Sequence, residues 1–225
     1  LLVVLLVAGV RLGVVTLLTI PDQGEAPALL AGDRVTVNRW AYGYRLPFGR
    51  LFGYRRWKVR TCQRNEWAVF NAPASSPQQL PDTSRYCVGR CMALPGDTVW
   101  MGANGHVSPR RTYSSGQVWP LVVPGRGTHV HITPWNAPLY ALTINRHEQG
   151  QATVEDDSLY IDGKSVSYYR FQHDYYWMTS GTQDNLNDSR RLGFIPHEAF
   201  LGRVENVAFS FDGWKPRWNR IFLPL

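Results

Sequence analysis

Beyond residue 14, no stretch of this chain holds a 3.6-residue apolar repeat through three turns, and that limits its fold more than any other feature. Short runs rich in β-branched and aromatic residues stand in its place: VVTLLTI from Val14, RVTVNRW from Arg34, EWAVFNAP closed by Pro73, and RYCVGRCMAL from Arg85. HVHIT, SLYIDGKSV and DYYWMTS follow, with Asp162-Gly163 predicting a hairpin turn. Pro95-Gly96 predicts another turn, after which Thr98 to Met101 resumes a strand. The expectation is an all-β domain of many short strands, a folded sheet or barrel. Glycine and proline spread along the whole length, together with plentiful aromatics, exclude a disordered chain. A length of 225 residues allows one substantial core with a satellite.

Ten apolar residues, LLVVLLVAGV, open the sequence and end at Arg11. A spanning helix needs about twenty, and the sequence does not begin with Met. Residues 1–13 therefore read as the C-terminal part of a membrane anchor helix, with Arg11 snorkelling at the interface. A cleaved signal peptide fits less well, because neither a basic leading segment nor a small-residue cleavage site accompanies the run. A buried strand is the other alternative. Residues 14–101 and 176–225 are expected to form the β core, and residues 102–175 an inserted β subdomain. The formal charge of +7 comes almost wholly from arginine, with Lys58, Lys164 and Lys215 the only lysines. Such a balance suits an anionic membrane surface. No Lys/Arg run exceeds two residues and no nucleic-acid motif stands out, so nucleic acid is not an expected partner.

Three blocks in fixed order carry a resemblance: Gly24–Asp33 (GEAPALLAGD), Gly89–Asp97 (GRCMALPGD) and Ser180–Arg190 (SGTQDNLNDSR), the last followed by LGRV. Behind an apolar segment, they resemble the type I signal peptidase family (S26, bacterial leader peptidase-like). These are serine endopeptidases that remove signal peptides from exported proteins. NRWAYGYRLPF, WKPRWNRIF and the long insertion are similar to the Bacteroidetes branch, so the resemblance covers essentially the whole chain. It implies a signal-peptidase-like folded β-sheet or barrel after an N-terminal transmembrane helix. It also implies a place in the bacterial inner membrane with the domain facing the periplasm, no cofactor and no metal.

The departures matter as much as the matches. The family's blocks normally read Ser-Met-x-Pro-Thr-Leu-x-x-Gly-Asp, Lys-Arg-x-x-Gly-Leu-Pro-Gly-Asp and Gly-Asp-Asn-x-x-Asn-Ser-x-Asp-Ser-Arg. The resemblance implies a serine nucleophile whose proton passes to a lysine kept neutral by burial. Here Gly24 stands at the nucleophile, Gly89 at the base and Leu186 at the hydroxyl that orients the base. Pro27, Gly32, Asp33, Leu94 to Asp97 and Asp188 to Arg190 remain, with Asp188 and Arg190 resembling a structural salt bridge. The implied reading is a dyad lost from an intact scaffold. The family's substrate lies as an added strand, which here maps to Ile20, Pro21, Asp22 and Gln23 on one side and Arg85, Tyr86, Cys87 and Val88 on the other. Glycine at both dyad positions is expected to widen that groove. Expected partners are the membrane, exported polypeptides, and a translocon or other membrane-complex subunit. Two alternatives stand beside this one. One is an active signal peptidase using other groups. The other is a purely structural subunit whose segment Tyr42 to Trp57 faces lipid or a partner.

Other reactive side chains yield less. Cys87 and Cys91 flank Gly89 on one strand face, but no lysine or histidine lies nearby in sequence to activate a thiol, so they read as packed residues. Pairing Phe70 with a residue near Tyr86 brings Cys62 close to Cys91, compatible with a disulfide that leaves Cys87 free. Lys58 in RRWKVR reads as a solvated or lipid-facing edge. His129 and His131 project to one strand face as half of a metal site without a third ligand.

Overall fold

Residues 33–38 bury every second side chain, with Asp33, Val35 and Val37 inward and Arg34, Thr36 and Asn38 outward, and this alternation makes them one strand of a sheet covered on one face. The computed structural model describes residues 15–20, 27–45, 56–72, 86–102, 107–111, 117–181 and 187–225. The expected anchor, and with it Pro21, Asp22, Gln23, Gly24, Arg85 and Leu186, lies outside the described residues. Among the described residues, no helix is long and apolar enough to cross a membrane.

Nine strands make the main sheet, numbered here in chain order: β1 (Val15–Thr19), β2 (Asp33–Asn38), β3 (Trp67–Asn71), β4 (Tyr86–Ala93), β5 (Tyr175–Thr179), β6 (Ile195–Pro196), β7 (Phe200–Asp212), β8 (Lys215–Pro216) and β9 (Leu223–Pro224). The order is β1-β2-β7-β3-β4-β5-β6, antiparallel throughout, with β8 and β9 also on β7. β7 runs thirteen residues and slips register against both neighbours. Such bulges bend a strand and sharpen its twist. The sheet curls far enough that Tyr86 Oη on β4 donates to the carbonyl of Thr19 on β1, four places away in the order, at 3.0 Å. Inside the curl lie Ile20, Leu29, Val35, Val37, Val69, Val88 and Val207. The opposite face of β3–β4–β5 carries Phe70, Cys91, Tyr176 and Met178 against Phe200. Each such side chain removed from water contributes about 1.5–3 kcal/mol.

Between β4 and β5 the chain forms small two- and three-stranded sheets and a helix, α1 (Ala137–His147). The Asp162-Gly163 hairpin is present, with φ of 50° and 78°. The helix is a departure from the all-strand expectation for this stretch. Pro138 sits in its first turn, and Ala137, Tyr140, Ala141 and Ile144 bury one stripe against Phe171 and Phe194. Leu139 and Leu142 line the other side next to Gly193. Apolar residues on two sides blur the one-sided period that marks a helix in sequence.

Candidate functional site

Two corners built from Leu-x-Gly-Asp frame the site. In each, the Asp N–H donates to the Leu carbonyl at 3.0 Å (Asp33 to Leu30, Asp97 to Leu94). The Asp carboxylate then accepts from the same leucine's N–H, at 2.8 Å for Asp33 and 2.6 Å for Asp97. The glycines stand at φ of +86° and +87°, and a Cβ at Gly32 would come 2.2 Å from the Phe211 carbonyl oxygen. Only glycine fits there. Each carboxylate also takes an arginine from outside its motif. Arg220 reaches the fully buried Asp33 at 2.6 Å, while Arg64 reaches the more exposed Asp97 at 2.6 Å. Burial alone would raise the Asp33 carboxyl, but bonds from Arg220, Leu30 N–H and Ser210 outweigh it and hold it below the usual carboxylate range.

Gly89 lies between those corners on β4, opposite Ala68. A Cβ there would sit 3.3 Å from Phe70 Cε1, 3.3 Å from the Thr179 carbonyl oxygen and 3.6 Å from Met178 Cβ. A side chain at this position would press on an aromatic ring and the neighbouring strand, which would have to give by a few tenths of an ångström. The hydroxyls and thiol nearby are held by backbone groups. Thr179 Oγ1 donates to the Arg90 carbonyl at 3.3 Å, Ser189 Oγ accepts from Met178 N–H at 2.9 Å, and Cys91 Sγ lies 3.8 Å from the Ala93 carbonyl.

The two expected binding segments do converge, through the Tyr86 bond to Thr19. Ile20 and Val88 point into the curl, 2% and 6% exposed, so they offer a bound strand their backbone rather than side chains. Among the described residues β1 pairs with β2 alone. Ile20 exchanges bonds with the β2 side, and Thr19, Leu17 and Val15 therefore turn their N–H and C=O groups to the open edge. Beside that edge a cleft of about 300 Å³ is lined by Thr16, Leu18, Val37, Arg39, Asn71, Tyr86 and Leu201. Asn71 is fully buried there, and neither its Oδ1 nor its Nδ2 has a partner among the described residues. An orphaned buried amide costs about 1–3 kcal/mol. Nothing in the sequence of a single Asn in an apolar strand marks it.

Asp188 is fully buried and caps the short helix α2 (Ser189–Leu192). Its carboxylate accepts from Arg190 N–H (3.0 Å) and Nε (2.9 Å), Ser180 N–H (2.9 Å) and Ser180 Oγ (3.0 Å), and Arg190 also donates to Ser180 Oγ at 2.8 Å. The cysteines are all free thiols. β3 and β4 pair Phe70 with Cys87, and Cys62 and Cys91 meet in a hydrogen bond rather than a disulfide. That bond and burial push the Cys62 thiol well up, which keeps it protonated and inert. Lys58 stacks its amine 4.9 Å from the Trp57 ring centroid. His129 and His131 are exposed on one face, with His131 against Tyr168, and among the described residues no metal-ligating group of three exists. Tyr42, expected on a lipid- or partner-facing surface, is instead core: it packs edge-on against Phe200 and donates to Glu66 at 3.3 Å. Trp57, at the other end of the segment that Tyr42 begins, is exposed, residues 46–55 lie outside the described residues, and other strongly exposed aromatics are Trp214 (99% exposed), Trp218 (75%) and Phe222 (75%).

Comparison with known proteins agrees with this framework. The family described as signal peptidase, peptidase S26, matches residues 1–118, more than half of the chain. Signal peptidase I of Pseudomonas aeruginosa is 26% identical over 226 positions, covering 90% of this chain and 69% of that protein. Signal peptidase I of Pseudomonas fluorescens is also 26% identical, covering 91% and 69%. The probable signal peptidase I-1 of Synechocystis is 25% identical, covering 91% and 76%. The chain belongs to the signal peptidase family, peptidase S26.

Proposed function

We propose that this protein is a membrane-associated, non-catalytic member of the signal peptidase family. In this reading it holds an extended exported chain, or an export-machinery partner, along the open edge of β1. Gly89 carries the proposal: where the family's lysine base would stand there is no amine, and the first carbon of a stem would already meet Phe70 and Thr179 at 3.3 Å. Binding by strand addition needs main-chain groups rather than a dyad. The open edge of β1 supplies such groups. Association with the bilayer is supported by Trp214, Trp218 and Phe222 beside Lys215 and Arg217, residue types suited to the membrane interface. The inner-membrane location with the domain facing the periplasm follows the same reading.

The test uses the full chain in detergent with a synthetic signal peptide. No cleavage is expected, and photoactivatable residues at Thr16 and Arg39 should capture the peptide while one at Lys164 does not. Site-specific cleavage abolished by a substitution in this chain would overturn the non-catalytic reading. Capture of a membrane-complex subunit at Lys164, with none at the cleft, would point instead to a purely structural role.

A further inference from the structure

A cavity of about 730 Å³ lies outside the groove, where the turn at Arg126–Gly127 and the chain around β5 and β6 meet Arg56. Arg56, Arg126 and Arg170 line it together with Asp174, His197 and Glu198. Asp174 Oδ1 accepts from Arg126 N–H at 2.8 Å, and Glu198 Oε1 lies 3.4 Å from His173 Nδ1 while its Oε2 is buried. The guanidinium of Arg56 is anchored on the Tyr42 and Phe200 carbonyls. Those of Arg126 and Arg170 form no ion pair among the described residues, and both residues are exposed at the cavity mouth. Positive charge therefore exceeds negative charge.

His197 decides what this charge is for. Only 8% of it is exposed, and its Nε2 is buried without a partner among the described residues. Burial, and then the nearby Arg56 charge, lower its proton affinity, so the ring is neutral at pH 7. Tyr176 Oη accepts from the Cys62 backbone N–H and lies 3.4 Å from His197 Nδ1. The phenol can either accept from Nδ1–H or donate to Nδ1, and where it donates the imidazole proton sits on Nε2. The cavity wall thus holds a buried ring nitrogen without a partner among the described residues, beside three arginines.

We propose that this cavity is a binding site for a phosphate oxyanion, either free or as the headgroup of a phospholipid, which accepts from His197 Nε2–H and pairs with Arg126 and Arg170. Guanidinium groups match phosphate oxygens in geometry, and a neutral N–H donor completes the shell. The volume exceeds that of a bare phosphate and leaves room for an ester substituent.

The experiment titrates the detergent-solubilised full chain with inorganic phosphate and, separately, with short-chain phosphatidylglycerol below its micelle concentration. Binding is followed by calorimetry and by the His197 imidazole resonances. The expected result is saturable binding of at least one probe with a shifted Nε2–H signal. The double variant Arg126→Gln, Arg170→Gln should weaken it by about tenfold or more, and these side chains are exposed, so the fold survives their loss. Binding of phosphate assigns the free anion, and binding of phosphatidylglycerol alone assigns the headgroup. Absence of binding by both probes, binding unchanged in the double variant, or a His197 signal that stays still at saturation would overturn the proposal.

Discussion

Lowering the pH from 7 to 5 should destabilise this fold chiefly through His147, the last residue of α1. Its Nε2 is buried without a partner among the described residues, and the ring packs 6.0 Å from that of Tyr175. Burial first, then repulsion from Arg146 and His173, lower its pKa from 6.5 to about 4, with Glu198 opposing weakly. A histidine at a helix C-terminus normally gains about 0.3–1 kcal/mol as a cation. A displacement of this size corresponds to roughly 3 kcal/mol the other way, so desolvation wins. The folded pKa lies below the unfolded one, hence the unfolded chain binds more protons between pH 6.5 and 4 and stability falls as pH drops through that window. Integrating from pH 7 to pH 5 gives a loss of about 2 kcal/mol.

Neighbouring groups do not cancel this effect. His173 is raised by its bond to Glu198, so its stabilisation is present below pH 6.5 and lost as pH rises through its folded value. Its side chain is 40% exposed and its partner's 41%, and solvent screening keeps that contribution below about 1 kcal/mol. Asp33 and Glu198 are lowered, so their stabilisation is lost only as pH falls through folded values under 3.8 and 4.5. His197 adds to the His147 trend but is unchanged between parent and variant. Urea unfolding at both pH values should therefore show the parent losing about 2 kcal/mol more than His147→Phe. Parallel losses in the two proteins would refute the reasoning.

Asn71→Leu should raise the unfolding free energy by about 1–3 kcal/mol by removing an orphaned amide, and it should weaken peptide capture; reduced stability by urea titration would contradict this. Tyr86→Phe frees the Thr19 carbonyl for an incoming strand, so peptide affinity measured by fluorescence anisotropy should rise by up to about tenfold, and a fall would count against edge binding. Gly89→Lys forces a stem against Phe70 and Thr179 and should lower stability by about 1–3 kcal/mol or more; a melting temperature equal to the parent's would show that the space is open. Asp33→Asn leaves Arg220 buried without its charge partner, at about 3–5 kcal/mol, whereas Asp97→Asn at the exposed pair should cost about 1 kcal/mol or less for its ion pair; equal losses in urea would refute that ranking.

The strands were legible because period-2 alternation is local, and even the β3–β4 register came within one residue of the pairing found. Helix α1 was not, since Leu139 and Leu142 carry apolar character round to its second side. The Gly-Asp corners could be read from sequence, but their arginine partners could not: Arg220 lies 187 residues from Asp33 and Arg64 lies 33 from Asp97. Tyr42 was misplaced because an aromatic among arginines reads equally well as interface or core until its hydroxyl finds Glu66. The cleft and the cavity have no local signature at all. Asn71 is a single polar residue in an apolar string and His197 stands in an ordinary His-Glu pair, and their significance comes only from what tertiary packing fails to provide them.

The residues that identify this family are not the residues that perform its chemistry. Asp33, Asp97 and Asp188 each close a turn by accepting backbone N–H groups, and each is paired with an arginine. Those bonds are needed to fold the sheet whether or not a substrate is ever cut, because an unpaired buried carboxylate costs several kcal/mol. A base at residue 89 answers to a different requirement: a lysine there would need a cavity that keeps it neutral. At Gly89 the nearest groups are Phe70 and the Thr179 carbonyl, each 3.3 Å from where a Cβ would sit. The corners are thus explained by stability alone, whatever the chemistry at residue 89. Family membership here fixes the framework, and function must be argued from the edge of β1 and the polar groups left unpaired beside it.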